Sequence, residues 1–207
     1  MKLDFGIFDH LDRNDLALHD LYEQRLKVIE LFDRFGFYAY HVAEHHFTPL
    51  GMAPSPSVFL SAVSQRTKRL RFGTFVYALP VHHPLRVLEE ICMLDHMSGG
   101  RLEIGFGRGS VPFEIAYYGQ NAQERQQIYA ERLELILKAF AVGTLTWQGR
   151  YRLFALAFEF CLSVGNAWCT AGFAAECGKL RPADWARTGH CWLGRHGSRL
   201  PSQANGD

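Results

Sequence analysis

Short apolar runs and longer amphipathic stretches alternate along most of the chain. Four runs are apolar and bounded by polar residues, which predicts buried parallel strands. They cover Leu3 to Phe8, Phe37 to Ala43, Leu70 to Leu79 and Arg101 to Phe106. A further segment, Thr144 to Phe154, turns at Gln148-Gly149 and predicts a small hairpin.

Each predicted strand is followed by a stretch with helical periodicity. Helices are predicted from Asp15 to Phe35, from Pro56 to about Thr67, from Pro84 to Ser98 and after Asn121. The first helix carries an apolar stripe made of Val28, Ile29, Phe32 and Phe35, and Gly36 stands where a left-handed C-cap belongs. The segment from Gly107 to about Gly119 is predicted to be a loop.

Four strand and helix units in a row imply a parallel sheet with right-handed crossovers. Such a sheet is either doubly wound or part of a (β/α)8 barrel, which typically takes about 250 residues. Residues 1–154 would fill half of a barrel. We therefore expect an α/β fold of the TIM-barrel type represented by its first four units, with two open strand edges.

The composition changes after Phe154. Residues 155–207 contain no isoleucine, and Val164 is their only valine, although buried parallel strands are usually rich in both. Four of the five cysteines and three of the four tryptophans fall in this segment. We expect an aberrant tail, joined by a frameshift or a similar accident; a short divergent helical cap is the alternative.

Charge and cysteine usage exclude several classes of protein. Twenty-two basic and 21 acidic residues leave a net charge of +1, which gives no field to attract nucleic acid or an anionic membrane. The N-terminus lacks a secretory signal pattern, and no apolar stretch is long enough to span a membrane, so we expect a cytoplasmic protein. An odd number of cysteines without a C-x-x-C pair favours free thiols.

Candidate chemistry is expected at the carboxyl ends of the strands, where barrels gather their functional groups. These positions are Asp9-His10, Glu44 to His46, Tyr77 to His83 and Gly107 to Ser110. Two histidines beside a glutamate could bind a metal, move protons or make structural hydrogen bonds. Arg108 between glycines could hold an anion or be an ordinary surface residue. His83 is expected to cap the helix at Pro84, with His82 solvated.

Several of these segments together resemble the bacterial luciferase-like monooxygenases, a flavin-dependent family built on a (β/α)8 barrel. The segments are AEHHFT at 43–48, RFGTFVYALPVHHP at 71–84, LDHMSGGRLEIGFGRG at 94–109 and FEIAYYG at 113–119. They stand in the family's order and spacing. The resemblance covers about three quarters of the chain and ends near Phe154.

The resemblance implies a reaction in which reduced FMN and dioxygen put one oxygen atom into a small organic substrate. His45 matches the family's active-site histidine, a candidate for proton transfer. Phe75-Val76 matches a strand end where the family has a non-proline cis peptide against the flavin, and Arg108 matches a flavin-phosphate ligand. A separate flavin reductase is the implied partner. A deazaflavin is the alternative cofactor, and no metal is expected.

The sequence also allows other interpretations of the chain. The chain could be a non-catalytic barrel fragment that serves only as an assembly partner of a complete subunit. Because half a barrel exposes its inner layer, we expect the isolated chain to fold poorly, to aggregate or to pair as a homodimer. The substrate is not indicated by the residues.

Overall fold

The main sheet of the protein follows the predicted chain order. The computed structural model describes residues 3–141, 144–151, 153–159 and 190–193. Its four parallel strands are β1 (Gly6–Asp9), β2 (Ala39–Val42), β3 (Arg71–Ala78) and β4 (Leu102–Gly107), hydrogen-bonded in that order. All four predicted strands are confirmed, with ends that differ by up to three residues. Closure of this sheet into a barrel stays a prediction.

The edge of the sheet at β4 is paired. A further strand, β7 (His190–Leu193), runs antiparallel to β4, with Phe106 opposite Cys191. The expectation of two open edges is therefore wrong at β4, because a segment from the predicted tail supplies the missing backbone hydrogen bonds. Most of residues 155–207 lie outside the described part of the structure, so the predicted division into residues 1–154 and 155–207 stays a prediction.

Five helices accompany the strands in the described part of the chain. They are α1 (Leu18–Phe35), α2 (Pro56–Arg66), α3 (Pro84–Ser98), α4 (Pro112–Tyr117) and α5 (Arg125–Ala141). Gly36 ends α1 in the left-handed conformation, as predicted. The predicted apolar stripe of α1 is only partly right: Ile29 is buried, but Val28 and Phe35 are exposed. The buried face is instead completed by Leu21 and Leu26.

Two elements near the end of the described region differ from their predicted form. The short helix α4 lies inside the predicted loop, and it begins at a proline that fits the first helical position. The predicted hairpin is present as β5 (Thr144–Gln148) paired antiparallel with β6 (Leu153–Glu159), so its second strand runs beyond Phe154. No described helix is both long and apolar enough to cross a membrane.

The two faces of the sheet have different surroundings. On one face, residues such as Tyr40, Phe72 and Ile104 are fully buried in the core shared with the helices. The opposite face is polar near the amino ends of the strands, where Glu103 accepts hydrogen bonds from Tyr38 and Arg71. Toward the carboxyl ends of the strands, aromatic side chains on that face are exposed. This difference places the candidate site at the carboxyl ends of the strands.

Candidate active site

The segment that follows β2 divides its side chains between the two faces of the sheet. The backbone N–H of Ala43 donates to the carbonyl of Asp9 at 2.9 Å, which keeps this segment beside the end of β1. The His45 ring stacks on the ring of His10, with centroids 5.6 Å apart and planes 14° apart. The neighbouring side chains of Glu44 and His46 are buried on the helix side. Consecutive residues therefore serve two separate sites.

His45 is oriented by a carboxylate from α4. Its Nδ1 lies 3.1 Å from Oε1 of Glu114, and the same oxygen accepts a hydrogen bond from the backbone N–H of His46 at 3.1 Å. An ionised carboxylate only accepts hydrogen bonds, so it places the ring proton of His45 on Nδ1. The Nε2 atom of the neutral ring is then the free acceptor. This arrangement suits a residue that takes up and returns a proton.

Aromatic rings line the sheet next to His45. Phe8 contacts His10 edge-on at 4.9 Å between centroids and Phe75 at 5.2 Å. Phe8 is 51% exposed and Phe75 is 46% exposed, although both sit on strands. The peptide bond between Phe75 and Val76 is cis. Together, the rings of Phe8, His10, His45 and Phe75 form a surface that we call the aromatic floor.

A second cluster lies behind the floor and is centred on Glu44, whose side chain is fully buried. One of its oxygens, Oε1, accepts hydrogen bonds from Nε2 of His46 at 2.6 Å and from Nε2 of His82 at 2.7 Å. The other oxygen accepts from the backbone N–H of Ala78 at 3.1 Å. The expectation that His82 is solvated is therefore wrong, and His83 makes no side-chain hydrogen bond that caps α3.

The charges in this cluster support one another. Burial raises the pKa of Glu44, but the positive charge of His82 and the hydrogen bonds from His46 and His82 outweigh it and lower that pKa to about 2. Burial lowers the pKa of His82, and the charge of Glu44 reverses this effect, so the pKa of His82 is raised. Together, the pKa shifts of Glu44 and His82 describe a buried ion pair whose hydrogen bonds are satisfied.

Glu44, His46 and His82 are also the residue types that hold zinc. Their three candidate ligand atoms lie within 4.8 Å of one another. In a tetrahedral zinc site, ligand atoms about 2 Å from the ion stand about 3.3 Å apart. The two O to N separations of 2.6 and 2.7 Å are those of hydrogen bonds instead. The geometry favours shared protons over a metal at this position.

Comparison with known proteins agrees with this architecture. A family model described as luciferase-like monooxygenase matches residues 3–165. The chain belongs to the luciferase-like monooxygenase family. This match extends beyond Phe154, the point near which the resemblance was expected to end.

Individual members of the family give the extent of the likeness. The uncharacterized protein y4wF of Sinorhizobium fredii is 53% identical over 148 residues, which are 72% of this chain and 43% of that protein. The oxygenase component of a flavin-dependent trigonelline monooxygenase from Acinetobacter baylyi is 33% identical over 53% of this chain and 31% of its own length. The chain thus spans less than half the length of these relatives.

A solved structure shows the same fold. The monooxygenase RslO1 from Streptomyces bottropensis superposes with a TM-score of 0.72 and 29% identity, covering 76% of this chain and 49% of that one. The fold of the described region is therefore that of luciferase-like monooxygenases.

The structure connects some of the residues predicted to be functional and separates others. His45 and Phe75 both belong to the aromatic floor, and Val76 follows Phe75 across the cis bond. Arg108 stands at the end of β4, is exposed, and donates a hydrogen bond to Gln126 at 3.4 Å. The roles assigned to these four residues stay predictions.

Three residues of the site were missed by the sequence analysis. Glu114 lies on α4, a helix that was predicted to be a loop, and Tyr118 follows that helix directly. His82 was assigned to solvent. Pro112 was the one signal for α4, since proline is common at the first helical position. The contact between His82 and Glu44 spans 38 residues, and no local pattern indicates it.

Proposed function

We propose that the chain forms part of a flavin-dependent monooxygenase site in which His45 transfers protons. The observation that carries this proposal is the Glu114 carboxylate on Nδ1 of His45, which leaves Nε2 available beside the aromatic floor. A histidine held by a carboxylate in this way is a common design for general acid and base catalysis. Membership of the luciferase-like monooxygenase family supports the same reading.

The residues of this site fit a reduced flavin. Phe8 and Phe75 offer exposed ring surface on the face of the sheet opposite the helices, which suits a flat aromatic ring system. Arg108 is exposed at the end of β4 and offers a guanidinium for a terminal phosphate, which favours FMN as the cofactor. Bound reduced flavin supplies the activation of dioxygen, and the protein supplies position, proton transfer and exclusion of water.

A separate flavin reductase is the proposed partner, and a small organic molecule is the proposed substrate. The trigonelline relative is named as an oxygenase component, which supports a system in which another protein reduces the flavin. A deazaflavin remains the alternative cofactor.

The decisive experiment is to bind FMN to the purified chain and follow its chemistry. Reduced FMN would be mixed with oxygenated buffer in a stopped-flow instrument, with wild type, His45→Ala and the surface control His19→Ala on α1. We expect wild type and His19→Ala to alter the rate of flavin reoxidation equally. His45→Ala should bind FMN with similar affinity and lose most of that effect. A folded chain that binds no FMN would contradict the proposal.

A second candidate function is an assembly partner of a complete subunit. The exposure of Phe8 and Phe75 on the face of the sheet opposite the helices favours it, because adjacent exposed apolar side chains mark association surfaces. Light scattering of the chain mixed with a complete family member measures this directly. Association that His45→Ala leaves intact, together with no effect of the wild type on flavin reoxidation, would establish this function instead.

A further inference from the structure

A rim of exposed aromatic side chains carries the hydroxyl of Tyr118, which contacts a buried histidine. Two residues along the chain from His45, this rim begins with Phe47, which is 77% exposed, and Tyr117 is in edge contact with it at 5.4 Å between centroids. Tyr118 lies next to them and is 41% exposed. Its hydroxyl is 2.9 Å from Nδ1 of His46. This phenol therefore joins the exposed rim to the buried cluster around Glu44.

The direction of that hydrogen bond follows from the residues behind it. Glu44 is acceptor-only when ionised, so Nε2 of His46 must carry a proton to make its 2.6 Å contact. In the neutral ring, Nδ1 is then an acceptor. The proton in the contact between Tyr118 and His46 must come from the phenol. The phenol oxygen then keeps lone pairs that can accept a hydrogen bond from another group.

Groups of both charges surround His46. The groups that face it are Glu44 after β2, His82 after β3, Glu114 on α4 and Tyr118 directly after α4.

Two outer neighbours act on His82, and the phenol keeps its own proton. The charge of Glu90 raises the pKa of His82, and the charge of Arg132 lowers it. Burial raises the pKa of Tyr118, and the charges of Glu44 and Glu114 raise it further, which keeps its proton in place.

We propose that Tyr118 is a specificity-determining residue whose phenol oxygen accepts a hydrogen bond from a hydroxyl or N–H group of the substrate. Glu44 and His46 are positioning residues that fix the direction of this bond. The proposal rests on the proposed function, because it assumes that a small molecule occupies the rim beside His45. An aromatic rim with one fixed acceptor selects apolar molecules that carry one hydrogen-bond donor.

The first test reads the proton positions in the chain without any ligand. Histidines labelled with ¹⁵N report by NMR which ring nitrogen carries the proton. Near neutral pH, we expect His46 to be protonated on Nε2 alone. Tyr118→Phe should shift the Nδ1 resonance by removing its hydrogen bond, and Tyr117→Phe, which removes a neighbouring hydroxyl, should not. A proton on Nδ1 of His46 in the wild type would overturn the proposal.

The second test uses phenol and its methyl ether, anisole, as probes, since only phenol can donate a hydrogen bond. One hydrogen bond of ordinary strength predicts about five-fold tighter binding of phenol by the wild type. Tyr118→Phe should abolish this preference, and Tyr117→Phe should keep it. A preference that survives in Tyr118→Phe would overturn the proposal, and so would failure of a folded chain to bind either probe.

These outcomes are separable from those of the proposed function. Neither probe experiment contains flavin, so a chain that fails to alter flavin reoxidation can still show the preference for phenol. Conversely, a chain that alters flavin reoxidation through His45 but binds phenol no more tightly than anisole still supports the proposed function. In that case, only the assignment of Tyr118 fails.

Discussion

Replacing Glu44 with glutamine should destabilise the chain near neutral pH and flatten the acid side of its stability profile. The wild-type carboxylate accepts hydrogen bonds from His46, His82 and the backbone of Ala78. Glutamine offers one carbonyl oxygen, and its amide group would face other donors. Buried donors left without an acceptor cost about 1 to 3 kcal/mol each.

The pH dependence gives the magnitude. Folding lowers the pKa of Glu44 from 4.5 to about 2. A lowered carboxyl pKa stabilises the folded state above about pH 4.5, and that stability is lost as the pH falls toward 2. The shift corresponds to about 3 kcal/mol, of which about 2 kcal/mol disappears between about pH 6 and pH 3. The side chain is fully buried, so solvent screening does not reduce this figure greatly.

Urea unfolding followed by circular dichroism, repeated at several pH values, measures this difference. Glu44→Gln should show a smaller loss of unfolding free energy than wild type between about pH 6 and pH 3. Glu89→Gln on α3 is the control, because Glu89 is exposed and, within the described residues, pairs only with Arg86 at 3.4 Å. If Glu44→Gln loses stability with the same slope as wild type, the account of the buried cluster is wrong.

Three further predictions address other parts of the molecule. His82→Gln should lose more stability near pH 6 than near pH 9, because the raised pKa of His82 stabilises the folded state at low pH and this is lost as the pH rises; equal losses in urea titrations would contradict it. Gly73→Ala should cost about 3 kcal/mol or more, since its Cβ would lie 1.4 Å from the carbonyl oxygen of Glu103, whereas Gly6→Ala, at 3.4 Å from its nearest neighbour, should cost under about 1 kcal/mol in the same assay. Arg108→Ala should weaken FMN about ten-fold by fluorescence titration and leave riboflavin, which lacks the phosphate, unchanged; equal weakening of both would refute the phosphate contact.

The order of strands and helices could be predicted from sequence because each unit carries its own signals. Gly36 and Gly99 end helices in the left-handed conformation that glycine permits, and Pro56 and Pro84 begin them. The face of α1 was misjudged because Val28 and Phe35 are apolar, yet nothing in the described part of the chain covers them. Local pattern identifies an element more reliably than its buried face.

The candidate site could be predicted only in part. His45 stands in a recognisable segment at the end of a strand, and its position beside Phe75 follows from the order of parallel strands. Its partner Glu114 lies 69 residues away, on a helix of six residues that is too short to show periodicity. Donor and acceptor roles depend on such distant pairings, and a single sequence does not contain them.

The spacing of these contacts has a consequence for the order in which the molecule assembles. Arg132 on α5 is fully buried and donates hydrogen bonds to the carbonyls of Leu79 and His82, which fixes the turn after β3. His46 meets Tyr118 across 72 residues. Such loops close late, because chain entropy opposes distant contacts until nearer ones have formed. A nascent chain that has exposed only its first two strands therefore displays His45 and His46 without Glu114 and Tyr118. Ligand binding that begins during synthesis would report that α4 and α5 have docked.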